Sequence, residues 1–367
     1  GAANLEVAHV WLCKGQTRAP RLLDHRPVPA IAPALVAGGA ALGPPHRLAE
    51  NAGKSFIGSY VLGLGFVLTP DEARELLHRA PESRAVLFPY INGDDLNRTV
   101  DQSPTRWVID FRDRPLTCPP GQAISCAEDF PACLAIVRER VYPERQRNRR
   151  PAYRTYWWHH AEKRPLLYQS LAGRRRVLLR ALTSKHHAFA FAPTGWVYDQ
   201  TCPVYLFDGD HHFALLQSSI HHAWALRHGA SLETRPRYTP SDCFETFPFP
   251  RDFTDLAELG ARYDDHRRAL MRAAGEGLTR TYNRFHDPRE QTPGIARLRD
   301  LHVALDRAVA RAYGWSDLDL GHDFHRTAHG LRFTLAESAR RELLDRLLAL
   351  NHARHVEERA AGPHRPG

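Results

Sequence analysis

Among the acidic residues that stand close together along the chain, those that could hold a metal are the exposed-looking pairs Asp94-Asp95 and Asp264-Asp265, and Asp110-x-x-Asp113. A magnesium-dependent nuclease needs carboxylates converging on a hard cation, commonly with a lysine nearby. Neither adjacent pair is followed by a strand carrying an acidic-x-Lys pattern, and Asp110 and Asp113 sit among Arg112 and Arg114, which predicts an ion-paired strand end. The Pro-Pro pairs, Pro44-Pro45 and Pro119-Pro120, lack the preceding polar residue and following aromatic needed to hold a flipped base for amino-group chemistry. Gly63-Leu64-Gly65-Phe66 has no third glycine and no acidic residue after a second strand, so it reads as a close-packed β turn rather than a nucleotide cradle. A Gly-x-Ser-x-Gly nucleophile motif is absent. Histidine doublets at 159-160, 186-187, 211-212 and 221-222 are poor chelators, because adjacent side chains diverge on a helix and oppose each other on a strand. These residues assemble no active site.

The cations tell more. Fifty Lys and Arg face 41 Asp and Glu, a formal net charge of +9, and the lysines are only Lys14, Lys54, Lys163 and Lys185. Guanidinium groups bind phosphates and guanine edges bidentately, which suits nucleic acid better than a small acidic metabolite. The densest run is Arg138, Arg140, Arg145, Arg147, Arg149, Arg150 and Arg154, followed by Trp157-Trp158. Such a run is either a solvated face or a set of backbone contacts to DNA. The tryptophan pair reads as core ahead of a base-stacking platform. Six cysteines without a C-x-x-C pair predict reduced thiols and a cytoplasmic protein. No apolar run approaches the ~20 residues that span a bilayer.

The elements that must position these residues divide into an N-terminal stretch and two larger segments. Leu5 to Leu12 is apolar and β-rich, reading as the last strand of an upstream sheet, and Lys14 to Gly53 is a Pro, Ala and Gly-rich linker. From Ser55 to Pro250, short β-like runs (60–68, 85–91, 105–111, 176–182, 187–193 and 196–207) alternate with helical patches. Thr69-Pro70-Asp71-Glu72 supplies an N-cap, a proline at the first helical position and an acidic first turn. Further helices are expected over Phe130–Arg140 and His211–His228. After Pro250 the strands stop: Leu256, Leu259, Tyr263 and Leu270, then Ile295, Leu298, Leu301, Leu305 and Val309, then Leu343, Leu344, Leu347 and Leu348 recur at helical spacing. Leu278 to Pro288 reads as an ordered loop. The expected fold is α+β, a mixed β-rich domain followed by a small helical one, with boundaries at 1–54, 55–250, 251–358 and a tail at 359–367.

Read in order, SFIGSYVLGLGFVLTPDEARELL (55–77), VLFPYINGDDLN (86–97), RWVIDF (106–111), CLAIVRERVYPERQRN (133–148), WWHHAEKRPLLY (157–168) and LLQSSIHHAWALRHGASLETRPRYTPSDCFETFPFP (215–250) resemble one family. It is the target-recognition region of MmeI-like (type IIL) restriction-modification enzymes and of related phage-defence adenine methyltransferases, including those of DISARM systems. TRTYNRFHDP (279–288) and LHVALDRAVARAYGW (301–315) are similar to that family's C-terminal helical domain. The resemblance implies a parent that methylates adenine N6 with S-adenosylmethionine through an upstream methyltransferase domain, while this chain, holding no cofactor, binds double-stranded DNA and selects the target. A protein–protein scaffold of a defence complex, or an enzyme with an unrecognised site, are the alternatives.

By the same resemblance, base reading falls around Ser231-Leu232-Glu233-Thr234-Arg235-Pro236-Arg237-Tyr238-Thr239. The chemistry is apt: arginine binds guanine O6 and N7, and glutamate accepts from the cytosine amine. An extended chain would put Glu233, Arg235 and Arg237 on one face. Glu233 and Arg235 are the expected base readers, while Arg237, Tyr238 and Thr239 are structural, phosphate-binding or reading. Thr183-Ser184-Lys185 is a second candidate, with Ser184 and Lys185 leaving a strand towards a phosphate or groove. His186 stands where relatives carry an aromatic.

Overall fold

The computed structural model describes residues 9–11, 15, 20–28, 31, 43–121, 123–232 and 235–362. Two compact units emerge, Gly1–Pro45 and His46–Gly367. In the first, β1 (Arg21–Leu23) and β2 (Arg26–Val28) form an antiparallel hairpin turning at Asp24 and His25, both at positive φ. The expected strand over Leu5–Leu12 lies mostly outside the described residues.

In the second unit the chain runs through β3 (Ser55–Phe56), β4 (Val67–Leu68), α1 (Pro70–Arg79), β5 (Leu87–Ile91), α2 (Gly93–Arg98) and β6 (Arg106–Ile109). Four short helices follow: α3 (Pro131–Arg140), α4 (Tyr142–Gln146), α5 (Pro151–Thr155) and α6 (Pro165–Ser170). Next come β7 (Arg176–Leu179), β8 (Ala190–Pro193), β9 (Val197–Tyr198) and β10 (Val204–Tyr205), then α7 (Asp210–Gln217) and α8 (Ser219–His228). A hairpin, β11 (Ala230–Leu232) and β12 (Arg235–Arg237), precedes α9 (Ala257–Ala274), α10 (Leu278–Phe285) and α11 (Pro293–Ala312). A second hairpin, β13 (Asp323–Thr327) and β14 (Gly330–Thr334), leads into α12 (Glu337–Ala360). The fold is α+β, as the pattern predicts.

Two four-stranded sheets organise the β-rich part, ordered β4-β6-β5-β9 and β3-β10-β7-β8. They are joined by the run 196–207, which reads in sequence as one strand. Its first half pairs in parallel with β5, and its second half pairs with β3 and β7. The break is an Asx turn: Asp199 Oδ1 accepts from the Thr201 N–H and hydroxyl (2.9 and 2.6 Å), and the chain re-enters a sheet after Pro203. The first sheet packs on α1 and α3 through Phe66, Leu76, Val108, Phe111 and Val137. The second shares a core with the C-terminal helices, from Val177 and Phe189 through Trp224 and Tyr263 to Leu305 and Leu347. One core thus crosses position 250.

Helix α1 starts as its sequence dictates, with Thr69 and Glu72 exchanging both bonds of a capping box. The helix expected over 211–228 is two helices, because Ser218 is extended and its hydroxyl caps α8 by accepting from the His221 N–H. Leu278–Phe285, expected as loop, is helical: Leu278, Thr281, Tyr282 and Phe285 fall at i, i+3, i+4 and i+7, and all are buried. The strands do not stop after Pro250, since the β13–β14 hairpin pairs over five residues on each side. The cysteines depart from expectation too. Cys118 and Cys126 are disulfide-bonded, and Cys133, Cys202 and Cys243 are free and buried. The segments around the pair meet where Ala127 and Glu128 N–H donate to the Pro115 and Leu116 carbonyls, a juxtaposition no C-x-x-C spacing announces. No helix among the described residues is long and apolar enough to cross a membrane.

Candidate nucleic-acid interface

The two segments singled out as base readers are stitched together. Thr183 and Arg237 form an antiparallel bridge, the Tyr238 N–H donates to the Leu182 carbonyl at 2.8 Å, and the Ser184 N–H donates to the Pro236 carbonyl at 3.4 Å. Residues 182–184 therefore lie along β12 as a third extended segment beside the β11–β12 hairpin, whose register pairs Leu232 with Arg235 and Ala230 with Arg237. Glu233 and Thr234 lie outside the described residues, and Arg235 is placed through its backbone alone. Arg237 and Lys185 are exposed. The Lys185 ammonium donates to Asn283 Oδ1 on α10 at 2.7 Å, so the C-terminal helices help set this cation's position.

Not every residue of these segments faces out. Ser184 is buried, and its hydroxyl accepts from the His186 N–H. Tyr238 is 2% exposed among the rings of Phe189 and Tyr205, its hydroxyl lies 2.7 Å from His221 Nε2, and the Arg180 guanidinium lies 4.4 Å over its ring. Burial pushes the Tyr238 phenol far up and the His221 imidazole far down, so both are neutral. Thr239 donates to Asp242 Oδ2 at 2.7 Å within the turn that begins at Pro240. The buried Ser184 and Tyr238 are thus internal anchors, which corrects the expectation that they contact bases or phosphates, while the half-buried Thr239 gives its hydroxyl proton to Asp242. Alternation on the strand explains it: an outward Arg237 requires an inward Tyr238.

The basic run divides in the same way. Arg145 is 2% exposed, and its Nη2 donates to the carbonyls of Val61, Leu62 and His159 at 2.9, 3.0 and 3.3 Å. Desolvation lowers its pKa, and the three backbone oxygens replace water at Nη2 alone, since Nε and Nη1 are buried without a partner. It is a structural brace, not a phosphate ligand. Arg154 is half-buried and donates to the Asn148 and Arg149 carbonyls. Arg140 pairs with Glu72 at 2.9 Å, Arg138 leans towards Trp157, and Arg150 donates to the Tyr153 hydroxyl. Arg147 and Arg149 are exposed, as are Arg138, Arg140 and Arg150, so five of the seven arginines of this run lie at the surface. Trp157 and Trp158 are 7% exposed, and the Trp158 indole N–H donates to the Arg114 carbonyl, so the pair belongs to the core as predicted.

An open cleft of ≈ 450 Å³ is lined by Thr183 together with Tyr60, Asn92, Asn97, Arg106 and Gln200. On the same wall the Tyr90 hydroxyl donates to Asp199 Oδ2. Carboxamides, a hydroxyl and a guanidinium offer the mixture of donors and acceptors that base edges and sugar-phosphate need. Sequence reasoning missed this wall, because its residues come from separate segments, each unremarkable alone.

The candidate catalytic groups do not assemble. Asp110 is buried against Arg112 (3.1 Å) and Asp113 pairs with Lys163 (2.7 Å), the ion-paired strand end the sequence predicts. Burial pushes the Asp110 carboxyl up, and His160 with Arg112 more than offset it, so its pKa lies below the usual value. Asp264 is held by Arg267 and Arg268. At Gly65 a Cβ would meet Arg140 and Val141 below 3.0 Å, so Gly65 is the close-packed turn glycine that the sequence predicts. Among the described residues, Cys118, Cys126 and Asp129 have metal-ligand spacing, and the two sulfurs are bonded to each other.

Comparison with known proteins adds to this geometry. A solved structure of the Type IIL restriction-modification enzyme MmeI in complex with DNA is similar to the chain at a TM-score of 0.60 and 18% identity, over 89% of this chain and 39% of that one. At that identity the likeness speaks for the fold, and the chain spans well under half of the solved protein. No curated protein matches it by sequence. The family model for the MmeI target recognition domain matches residues 56–251, which takes in both sheets, the cleft and the stitched hairpin. The chain belongs to the MmeI target recognition domain family.

Proposed function

We propose that this chain reads a DNA sequence for an adenine-N6 methyltransferase of a restriction-modification or phage-defence enzyme acting in the cytoplasm. The observation that carries the reading is the bridge between Thr183 and Arg237, which joins an exposed arginine to a residue of the polar cleft wall, with the exposed Lys185 two positions further along the chain. Arg237, with Arg235 and Glu233 on the same hairpin, reads base edges. Lys185 and the exposed Arg147 and Arg149 neutralise phosphates. Methyl transfer belongs to a methyltransferase domain of the parent protein, which supplies S-adenosylmethionine. No step of the transfer is assigned to this chain.

Binding of the purified chain to labelled mixed-sequence duplex DNA tests the reading. Each neutralised phosphate contributes about −0.9 to the slope of log K against log salt, so several contacts weaken binding by orders of magnitude between low and moderate salt. A flat salt profile contradicts it, and so does methyl transfer by the chain alone.

A further inference from the structure

The loop between β3 and β4 carries backbone strain that its own packing does not need. Leu62 has φ 51°, a left-handed conformation that a branched apolar residue adopts only when its surroundings impose it. Gly63 follows at φ 111°, a value open to glycine alone. Next, a single 3-10 turn sends Phe66 wholly into the core and leaves Leu64 78% exposed. Scattered exposed leucines are ordinary. This one differs in how it is held. The buried Arg145 ties down the carbonyls of Val61 and Leu62, and Gly65 is pressed against Arg140 and Val141, so the loop is clamped from behind. The clamped leucine lines the same cleft as Thr183, whose backbone pairs with Arg237.

We propose that Leu64 is an apolar wedge that enters the stack of a duplex DNA bound in this cleft, opening one base step beside the sequence read by Arg237. The inference rests on the DNA-reading function proposed above and extends it to a residue of different chemistry. A wedge must be apolar, exposed and unable to retreat, because the cost of unstacking a base step would otherwise push the side chain aside. Leu64 meets all three conditions, the rigidity coming from Arg145 and the two glycines. Asn92, Asn97 and Gln200 on the same walls offer hydrogen bonds to base edges that unstacking exposes.

The test uses the full chain and short duplexes that it enriches from a random-sequence pool, with 2-aminopurine placed at each step of the enriched site in turn. The wild type raises the fluorescence at one step. Leu64→Ala abolishes that rise and weakens binding roughly tenfold, whereas Leu64→Met keeps both. Unchanged thermal melting of both variants shows that the fold is intact. A rise that survives Leu64→Ala overturns the wedge, whatever happens to affinity. Enrichment of a sequence with no fluorescence rise at any step also overturns it while leaving the DNA-reading function standing. Failure to enrich any sequence overturns both.

Discussion

Arg145 and Arg237 are both arginines in basic, polar surroundings, and the structure gives them opposite employment. Arg145 donates from Nη2 to three main-chain carbonyls while its Nε and Nη1 stay buried without a partner, and hydrogen bonds to a charged group are worth about 1.5–3 kcal/mol each. Arg145→Met should therefore cost about 3 kcal/mol of stability in urea unfolding, allowing for partial relaxation, without changing the salt slope of DNA binding in the folded fraction. Arg237→Ala removes an exposed side chain, so its unfolding curve should overlay the wild type, while the enriched DNA sequence loses about 1–3 kcal/mol of discrimination at one position. The reverse pattern would show that brace and reader have been exchanged. Residue types made the arginine chemistry legible in the sequence. Direction was not, because whether a guanidinium faces water or a carbonyl depends on contacts such as Arg145 to Val61, made 84 positions apart.

At the scale of elements, local signals were readable where they are written in consecutive residues. The capping box of α1 is one, and the apolar period of α11 is another. They failed at α10 because threonine and tyrosine there occupy core-facing positions that a hydrophobic count passes over, and at Ser218 because a cap hidden inside an apolar run looks like continuation. Gly260, inside α9, shows a competition between local and tertiary effects. Propensity alone predicts that Gly260→Ala gains about 1 kcal/mol. A Cβ there, however, would lie 2.2 Å from the Asp210 carbonyl oxygen at the start of α7, a backbone atom with little freedom to move. Separating two packed helices costs at least the 1–3 kcal/mol typical of overpacking, so the substitution should destabilise the protein. A raised urea midpoint for Gly260→Ala would mean that α7 and α9 are not in such close contact.

Across the whole molecule, many of the histidines are core side chains kept neutral. Burial lowers His186 and His228 to about 4 and His212 and His222 to about 3, and it pushes His187, His221 and His286 well below the ordinary 6.5. Their surroundings include Arg180, Lys185, Arg332 and one another, and the acid beside them, Asp208 near His212, offsets only part of the shift there. In the unfolded chain each takes up a proton near pH 6.5. Above that pH both states are neutral and stability is complete. As pH falls through 6.5 towards 4, the unfolded state binds protons that the native state refuses, and each such histidine withdraws up to about 1.4 kcal/mol per pH unit. Several acting together exhaust a typical folding free energy of roughly 5–15 kcal/mol well before the carboxylates protonate. Asp287 and Glu290, held at about 2 by arginine partners, lose their contribution only below about pH 4. Urea midpoints should therefore be level from pH 8 to about 7, fall steeply between about 6.5 and 5, and reach zero in mild acid. His212→Phe, at a site where the imidazole stacks on Phe207 at 3.9 Å, should make that fall shallower by close to one proton. A midpoint that holds steady down to pH 5 would mean that these imidazoles accept protons in the folded protein, and that the pocket around His187 and His222 is open to water.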